Sequence, residues 1–402
     1  MKILYVTSVY PRWKDDATPP FVQNQAKLMA AKGYTVRVVA PHAKGAVFSE
    51  EDEGVSVRRY SYMIPHKLEQ LCYDGGMLIQ LKARPWTWLL LPLFLVAQLM
   101  RVSLECRQWK PDVIHSHSLL PQGLVCILVA RLFRIPHVCT SHGNDVFGLK
   151  PGGLMGGLKR HVLKHSSAVT VNSSATRDAV LALGAVPAKV HLIPAVANVG
   201  EVDSSIVDSI ERKYGKSPKL LFVGRFIEEK GVMDLLTAFV QVKEQVVDAQ
   251  CLFVGDGVLR ADMEAMARDL KIERSVHFIG WQPGSKIASW MAAADVLIVP
   301  SKPVGTWQEA QGLVVVEAMS VGTPVIASRM GGIPDMIEEG KTGRLFTPRD
   351  SEGLTNVLVD LFKNPAESQR MAEAARNRIA EYHAPDAVAK QTEVLYQRCV
   401  KH

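Results

Sequence analysis

Short runs of apolar, β-branched residues alternate with longer segments of helical period along most of the chain. The run Lys2–Ser8 predicts a buried strand, and Phe21–Lys32 predicts a helix that ends at Gly33. The next run, Thr35–Ala40, predicts a strand that ends at Pro41. Strands that are apolar almost throughout are typical of a parallel sheet with helices on both faces, so the alternation predicts an α/β fold. Further elements of the first half are predicted at Val55–Tyr62, Asp112–His115, His137–Ser141, Ala168–Asn172 and Val190–Ile193 (strands) and at Gln122–Phe133 (helix).

The same alternation resumes after an irregular, polar stretch in the middle of the chain. Residues from Pro194 to Pro218 show no clear period and predict a linker. With roughly 200 residues on each side, the chain has the length of two ordinary domains. Two doubly wound halves predict a cleft in which ligands lie at the carboxyl ends of the strands. Strands are predicted at Lys219–Val223, Gln250–Val254, Val276–Ile279, Val296–Pro300 and Pro324–Ser328, and helices from Ser351 onward with breaks at Pro365 and Pro385.

The composition places the chain among globular proteins with reduced cysteines. Apolar residues make up 48% and charged residues 22% of the 402 positions, which excludes disordered and fibrous classes. The six cysteines form no CxxC pair, so they give no zinc signature and favour a cytoplasmic setting. The first apolar run is short and is followed at once by Pro11, Asp15 and Asp16, which is not typical of a signal peptide. We therefore expect a cytoplasmic protein.

Charge is distributed unevenly between the two halves. Residues 1–200 carry 23 Lys and Arg against 12 Asp and Glu, whereas residues 201–402 carry 24 against 28. A basic first half indicates an anionic partner, which leaves nucleic acid, a membrane surface or an acidic ligand open. The first half has no basic helix with interleaved aromatic residues and no familiar DNA-binding motif, so we do not expect a nucleic-acid partner.

One strongly apolar segment lies in this basic half. Pro85–Met100 is free of charged residues over 16 positions and is bounded by Arg84 and Arg101. It is shorter than the roughly 20 residues needed to span a bilayer. A buried core helix is the more common outcome for such a segment. Trp86 and Trp88 beside a cation suit a headgroup-level anchor, so we predict reversible binding to an anionic membrane surface.

Two cations lie on one predicted strand-to-helix loop in the second half. Arg225 and Lys230 stand between a strand that ends at Gly224 and a helix that begins near Gly231. An Arg fork and a Lys ammonium that converge at a cleft suit a diphosphate. From the residues alone, a solvated loop in which the cations pair with neighbouring glutamates fits equally well.

A second candidate anion site comes before the apolar run that starts at Leu313. Gly312 precedes this run, so backbone N–H groups at a helix N-terminus would face the cleft there. Glu317 lies one turn beyond Leu313, where its carboxylate could accept both hydroxyls of a ribose. Glu309 lies in the preceding loop, from which it could reach a sugar.

Further short motifs accompany these two sites. They are Gly255-Asp256-Gly257, the run Gly322–Ser328 with Gly331–Asp335, the run Gly343–Phe346, and Ser141–Asp145 in the first half. With the Arg225–Lys230 loop and the two glutamates, the pattern resembles the retaining glycosyltransferases of family 4, which have the GT-B fold. The resemblance covers nearly the whole chain, and its motifs are more specific in the second half.

The resemblance implies a role for each matching residue. Arg225 and Lys230 would bind the donor diphosphate, and Glu317 would bind the ribose. Glu309 would contact the transferred sugar near the reacting carbon, and His142 would reach that sugar from the first domain, so both are expected to be catalytic residues. The expected donor-binding residues are Gly224, Arg225, Lys230, Ile279, Gly280, Gly312, Leu313 and Glu317, with Ile279 and Gly280 beside the nucleobase.

The resemblance also implies the architecture, which is two Rossmann-like domains facing across a cleft. Residues 1–195 would form the acceptor-side domain, onto which a C-terminal helix, 386–402, packs back. Residues 196–385 would form the nucleotide-sugar domain. One departure is the loop Pro11–Phe21, which has prolines where many members carry a Gly-Gly pair. Because proline donates no N–H to an anion, we expect this loop to move or to form part of the acceptor pocket.

The expected reaction is hexosyl transfer with retention, from a nucleotide-diphosphate sugar to a lipid-linked or glycan acceptor in cell-surface polysaccharide or glycolipid synthesis. UDP is preferred over GDP on the frequency of donors in the family, and the resemblance points to the cytoplasmic face of the inner membrane. No Asp-x-Asp motif is present, so we expect neither a metal nor another cofactor. A nucleotide-sugar epimerase of the same fold is the alternative, and the oligomeric state is left open.

Two other histidines could be mistaken for a metal site. His115 and His117 alternate at strand spacing, but the sequence offers no third ligand nearby. We interpret them as packing or cleft-lining residues.

Overall fold

The computed structural model describes residues 1–73, 76–148, 152–197, 200–215 and 217–401. The chain divides into two compact units. Unit 1 comprises Met1–Val196 together with Pro385–His402, and unit 2 comprises Ala197–Ala384.

Unit 1 is built on a mostly parallel sheet. Its described strands are β1 (Lys2–Thr7), β2 (Thr35–Pro41), β3 (Ser49–Asp52), β4 (Val55–Tyr60), β5 (Val113–His117), β6 (His137–Ser141), β7 (Ala168–Val171) and β8 (Val190–Leu192). Their order across the sheet is β3-β4-β2-β1-β5-β6-β7-β8, and only the β3–β4 pair is antiparallel.

Unit 2 contains a second, entirely parallel sheet. Its described strands are β9 (Lys219–Val223), β10 (Gln250–Val254), β11 (Val276–Gly280), β12 (Val296–Val299), β13 (Val325–Ser328) and β14 (Arg344–Phe346). Their order is β11-β10-β9-β12-β13-β14, so the chain reverses direction across the sheet between β9 and β12. The carboxyl ends of β9 and β12 therefore lie side by side at the point where such sheets bind ligands.

Helices connect the strands in both units. Those described before the linker are α1 (Phe21–Ala31), α2 (Met77–Ala83), α3 (Leu90–Gln108), α4 (Leu124–Phe133), α5 (Asn144–Phe147), α6 (Gly153–His165) and α7 (Ser174–Ala182). Those that follow are α8 (Ser204–Tyr214), α9 (Val232–Gln245), α10 (Arg260–Asp269), α11 (Gly284–Ala292), α12 (Leu313–Val321), α13 (Ile333–Met336), α14 (Ser351–Lys363), α15 (Pro365–Tyr382) and α16 (Pro385–Lys401).

Each sheet is buried on both faces, which explains the near-continuous apolar strands. In β1, Ile3 and Tyr5 join one apolar cluster, while Leu4 and Val6 join another, because successive side chains point to opposite faces. All four side chains are fully buried. The predicted α/β architecture of parallel sheets covered by helices is confirmed.

The C-terminal helix belongs to unit 1. The side chains of Val388, Leu395 and Tyr396 on α16 join the same cluster as Ile3. The Tyr396 hydroxyl donates to the Tyr5 hydroxyl at 3.1 Å and lies 2.5 Å from His115 Nδ1. A buried aromatic hydroxyl with two partners anchors this helix in one position against the sheet.

Some elements differ from the sequence predictions. The predicted linker contains α8. The side chain of Asp203 caps the N-terminus of this helix, and its buried residues are Ile210 and Tyr214. Its apolar residues Ile206, Val207, Ile210 and Tyr214 do follow helical spacing after the Asp203 cap, so the sequence carried a signal for this helix. The strand β3 is composed only of polar residues and pairs with β4 through backbone hydrogen bonds, so no apolar pattern marks it. Strand β5 extends to His117, and α4 starts at Leu124 rather than at Gln122.

The apolar segment of unit 1 forms a longer helix than the sequence suggested. A 3₁₀ turn, Pro85–Leu89, leads directly into α3, so the helical stretch runs from Pro85 to Gln108. Within the described residues, this stretch of 24 residues is long and apolar enough to cross a membrane by length and composition alone, with 33% of its most apolar window buried. It continues past Arg101 because that side chain pairs with Glu105 one turn on, at 2.6 Å.

Candidate active site

The loop after β9 positions Lys230 against a glutamate from a distant part of the chain. Lys230 ends a 3₁₀ turn, and its Nζ lies 2.5 Å from Glu309 Oε2. The next residue, Gly231, has φ of 65°, and a Cβ there would lie 1.9 Å from the Pro300 carbonyl oxygen. Only glycine allows this close approach, so the loop packs directly on the end of β12. The ion pair is therefore a consequence of the strand order.

Glu309 is held from several sides. Its carboxylate is mostly buried and accepts a second hydrogen bond, at 3.0 Å, from the Ser301 hydroxyl. Its carbonyl oxygen accepts from the Gly332 N–H at 2.9 Å. A Cβ on Gly331 would lie 1.9 Å from the same carbonyl oxygen, so this glycine is required for the approach. Such a carboxylate is preorganised, with its charge balanced by Lys230.

The N-terminus of α12 adjoins this pair. Gly312 is the N-cap and has φ of 79°, which suits glycine. A Cβ added to Gly312 would lie 3.5 Å from Glu309 Cγ, so the helix begins beside the carboxylate. The first N–H groups of a helix attract anions, and here they lie next to the Lys230 ammonium. Glu317 is half-buried on the same helix, one turn beyond Leu313.

Arg225 differs from Lys230 in its surroundings. Its side chain is exposed and forms no ion pair with another described residue. The sequence left open a loop in which both cations pair with neighbouring glutamates. Lys230 instead pairs with Glu309, 79 positions away. Gly224, which precedes Arg225, donates its N–H to the Val254 carbonyl at 3.0 Å and so ties the loop to β10.

The predicted nucleobase segment lies at the end of β11. Gly280 has φ of 82° and accepts a hydrogen bond from the Gly255 N–H at 3.0 Å. Ile279 also lines a cavity of about 650 Å³ at this edge of the sheet, together with Tyr214, Arg260 and Trp290. None of the other predicted donor residues lines that cavity, so it is separate from the Lys230–Glu309 pair.

His142 lies at the corresponding edge of the unit 1 sheet. It follows β6 directly, and Gly143, with φ of 95°, turns the chain into α5. Its Nε2 is 3.1 Å from Nδ1 of His117, which ends the adjacent strand β5, and the two rings stack at 5.3 Å. Phe21, the first residue of α1, packs on the other side of the His142 ring at 4.6 Å.

The hydrogen bonds of His117 indicate which nitrogen of His142 carries its proton. His117 Nε2 is buried and has no hydrogen-bond partner among the described residues. A buried lone pair costs less than a buried, unpaired N–H, so His117 is protonated at Nδ1 and donates to His142 Nε2. His142 then keeps its own proton on Nδ1. Burial lowers the pKa of His142 to about 4, so the ring is neutral at pH 7.

The proline-containing loop of unit 1 is organised by an internal ion pair. Arg12 contacts both carboxylate oxygens of Asp16, at 2.9 and 2.8 Å, and its guanidinium lies over the Tyr73 ring at 4.6 Å. Although partial burial raises the pKa of Asp16, the hydrogen bonds from Arg12 outweigh it and lower that pKa to about 2. The loop ends at Phe21, whose ring contacts that of His142, and its expected movement or place in the acceptor pocket stays a prediction.

Comparison with known sequences supplies the family. Residues 18–195 match the family described as "Glycosyl transferase 4-like domain", and residues 204–378 match "Glycosyl transferases group 1". The two matches together cover most of the chain. It belongs to the family-4-type glycosyltransferases. The matched families are transferases, so the alternative of an epimerase gains no support from them.

Individual relatives agree with this assignment. The glycosyltransferase is 27% identical to a glycogen synthase of Mycobacterium tuberculosis over 98% of this chain and 94% of the relative. Its structure resembles sucrose-phosphate synthase from Thermosynechococcus elongatus, with a TM-score of 0.80, 22% identity and 99% of both chains covered. Anabaena HepE in complex with UDP and glucose follows, with a TM-score of 0.75, 18% identity and 99% of both chains covered. These structural likenesses confirm the GT-B fold.

In the glycosyltransferase, His117 contacts His142 and Ser301 contacts Glu309, and neither contact was predicted from the sequence. His117 was interpreted as a packing or cleft-lining residue, whereas it orients His142. Adjacent parallel strands bring their carboxyl ends together, so the succession of β5 and β6 could have indicated this pair. His115 is a packing residue as interpreted, because its two nitrogens face the Tyr396 and Thr140 hydroxyls. Ser301 carries no signal that distinguishes it from any loop serine.

The buried histidines make unit 1 of the glycosyltransferase sensitive to acid. Burial lowers the pKa of His137 to about 3, below the value of about 6.5 for an exposed imidazole. Between these values the unfolded chain binds protons that the folded chain excludes, so stability falls with pH by about 1.4 kcal/mol per pH unit for each such histidine. We expect a lower free energy of unfolding in urea at about pH 5 than at about pH 7. The loss should be smaller in His137→Gln, and an equal loss in that variant would contradict the assignment.

Proposed function

We propose that this glycosyltransferase moves a hexose, with retention, from a nucleotide-diphosphate donor to a lipid-linked or glycan acceptor at the cytoplasmic face of a membrane. UDP is the preferred nucleotide, and the reaction needs no metal. The observation that carries the donor proposal is the convergence of Lys230, Glu309 and the N-terminus of α12.

The donor diphosphate would complete this array. Lys230 Nζ is held by one carboxylate, and a phosphate oxygen can occupy its remaining donor positions. The first N–H groups of α12, at Gly312 and Leu313, supply further positive potential, and the exposed Arg225 can close on the other phosphate. These groups stabilise the charge that develops on the departing diphosphate, which is the task a divalent cation performs in other enzymes.

The chemical step would take place on one face of the sugar. The bond between the anomeric carbon and the diphosphate oxygen breaks, and the acceptor oxygen bonds to that carbon on the same face. The acceptor proton passes to the departing phosphate oxygen, so no protein base is consumed. Glu309 would stabilise positive charge that develops on the sugar. His142, neutral and protonated at Nδ1, can donate a hydrogen bond to a sugar hydroxyl.

Nucleotide binding is the direct test of the donor proposal. UDP at about 100 times its dissociation constant should stabilise the protein by about 2.7 kcal/mol, which corresponds to a rise in melting temperature of about 5 to 10 °C. GDP and ADP at the same concentration should raise it less. A larger shift with GDP would identify GDP, rather than UDP, as the donor nucleotide. If none of the nucleotides shifts the melting temperature, the proposal is overturned.

Turnover tests the reaction itself. UDP-hexose incubated with a lipid-linked or glycan acceptor should give a product whose anomeric configuration by NMR equals that of the donor. The rate should be unchanged by EDTA. An inverted product, or a rate that disappears with EDTA and returns with Mg²⁺, would contradict the corresponding part of the proposal.

The membrane proposal rests on the outward face of α3. Leu89, Leu93, Val96, Met100 and Leu104 are exposed, with Leu89 77% and Met100 67% accessible. At 100° per residue these positions form one narrow stripe along the helix. The opposite face, which includes Phe94 and Val102, is buried in unit 1. The segment is therefore neither a fully buried core helix nor exposed all round.

The surroundings of this apolar stripe suit an anionic bilayer. Unit 1 carries 26 Lys and Arg against 14 Asp and Glu over its sequence. Trp86 and Trp88 are exposed at the start of the stripe, and the exposed Leu128 and Leu132 add apolar surface on α4, which packs against α3. Each cation near an anionic surface contributes about 1 kcal/mol, and the stripe supplies the apolar contact.

Negative charge introduced on the apolar stripe of α3 tests the membrane proposal. Leu93→Glu/Met100→Glu should abolish co-sedimentation with vesicles rich in phosphatidylserine, because the changed side chains face solvent and leave the core intact. Val247→Glu/Val258→Glu places the same charges on exposed positions of unit 2 and should bind like the parent protein. Equal binding by both double variants, or no binding by the parent protein, would return α3 to a purely structural role.

A further inference from the structure

A cluster of two histidines and a glutamate lies in unit 1, apart from every residue assigned above. His42 follows β2, and His66 and Glu69 lie in the segment after β4, the strand next to β2 in the sheet. The carboxyl ends of these neighbouring strands bring one ligand atom from each side chain within 4.8 Å of the other two. His42 and Glu69 are buried, and His66 is half-buried.

The contact between His42 Nδ1 and Glu69 Oε2 requires a proton or a metal ion between the two atoms. His42 Nε2 lies 2.9 Å from the Ala46 carbonyl oxygen, to which it can only donate, so Nε2 carries a proton. In the neutral ring, Nδ1 is then a lone pair, and it lies 2.5 Å from Glu69 Oε2. Two electron-rich atoms at this distance repel each other unless a proton or a metal ion lies between them.

The other hydrogen bonds of His42 and Glu69 are of the kind that metal-ligating side chains make. The histidine donates its second N–H to a backbone carbonyl, and the glutamate's other oxygen, Oε1, accepts from the Tyr62 N–H at 3.0 Å. Such contacts fix the tautomer of a ligating imidazole and the orientation of a ligating carboxylate. The Phe48 ring stacks on His42 at 4.1 Å and holds its plane.

His66 supplies a third donor from the solvent side. Its Nδ1 lies 3.3 Å from Glu69 Oε2, which is about the separation of two ligands on one tetrahedral zinc ion. The Ser61 hydroxyl lies 3.3 Å from the same nitrogen. The side chain of His66 is 41% exposed, so an ion can enter and water can complete its coordination.

We propose that His42 Nδ1, His66 Nδ1 and Glu69 Oε2 form a zinc site. Two imidazoles and one carboxylate suit Zn²⁺, whereas Mg²⁺ and Ca²⁺ prefer oxygen ligands throughout. The His42–Glu69 contact opens by less than about 1 Å to reach ligand spacing. The ion would join the segments that follow β2 and β4, whereas the expected donor-binding residues lie in unit 2.

Titration of the full chain with Zn²⁺ tests the site. Chelator-treated protein should bind one Zn²⁺ per chain by calorimetry, and His66→Ala should weaken that binding at least about 100-fold. Zinc should raise the melting temperature of the parent protein and leave that of His66→Ala unchanged. Without metal, His66→Ala should melt slightly below the parent protein, because it loses the contacts of its half-buried ring with His42 at 4.9 Å and with Phe48 at 5.5 Å. Co²⁺ should give the absorption bands of a tetrahedral site in the parent protein alone.

His161→Ala/His165→Ala is the matched control. These histidines lie one turn apart on α6 with their rings 4.2 Å apart, so they are another place where zinc could bind adventitiously. The control should retain full affinity for zinc. Loss of zinc binding in the control but not in His66→Ala would overturn the proposal. The absence of zinc binding in the parent protein would also overturn it. In that case a proton shared between His42 and Glu69 would explain their short contact. Either result leaves the donor proposal intact, because UDP binding is measured separately.

Discussion

Glu309→Gln should lower kcat about 100- to 1,000-fold while leaving the affinity for UDP unchanged or higher. The amide keeps the shape of the side chain and can accept from Ser301, but it removes the negative charge that would stabilise the transferred sugar. It also releases Lys230 from its ion pair, which makes the ammonium more available to the diphosphate. Steady-state kinetics and calorimetry with UDP measure the two effects separately.

Two comparison variants sharpen this result. Glu339→Gln changes another ion-paired glutamate of unit 2, whose partners are Arg329 and Arg344, and should leave kcat unchanged. Glu317→Ala should weaken the binding of UDP and of UDP-sugar alike, because the ribose is common to both. If Glu309→Gln abolished UDP binding while Glu317→Ala preserved it, the two roles would be reversed.

Lys230→Ala should weaken UDP binding by about 1.5–3 kcal/mol, or roughly 10- to 150-fold in dissociation constant. The ammonium pairs with Glu309, whose side chain also adjoins the N-terminus of α12. Its removal takes one charge-assisted contact from the diphosphate and leaves the carboxylate of Glu309 without its cation, so the site becomes more negative. Calorimetry with UDP on the folded variant measures the change. Arg225→Ala should act in the same direction but less strongly, because that side chain is exposed.

Lys219→Ala is the control for the loss of a lysine. Lys219 begins β9, lies 3.7 Å from Asp295 Oδ2 and is buried, but it stands at the amino end of the strand whose carboxyl end leads to Arg225. The variant should bind UDP as the parent does, at a temperature where both are folded. Unchanged UDP affinity in Lys230→Ala, or an equal loss in Lys219→Ala, would remove Lys230 from the donor site.

Most strands of the two sheets could be predicted from the sequence because burial on both faces favours apolar residues at most positions, although β5 and β6 also bury polar side chains. Strand β9 was predicted with the bounds that the structure has. Elements stabilised by other means escaped prediction. Strand β3 forms through backbone pairing of polar residues, so it leaves no apolar pattern in the sequence.

The local parts of the site were also visible in the sequence. Gly231 and Gly312 adopt positive φ; Gly231 directly follows Lys230, and Gly312 lies three positions after Glu309. Their positions depend on the short stretch of chain around them, which the motif specifies. The partners of the charged residues were not visible. Lys230 was expected to share a diphosphate with Arg225, and its contact in the structure is Glu309.

By itself, the sequence determined the α/β class, most strands of the two sheets, the glycines of the site loops and the family. These depend on the apolar periodicity and on motifs confined to short segments. The tertiary structure alone decided the Lys230–Glu309 pair, the His117–His142 contact, the His42–His66–Glu69 cluster and the outward face of α3. The physical reason is the order of the strands, which places β12 beside β9 and β4 beside β2. Side chains far apart along the chain then meet at one edge of a sheet, and no local pattern records which of them will do so.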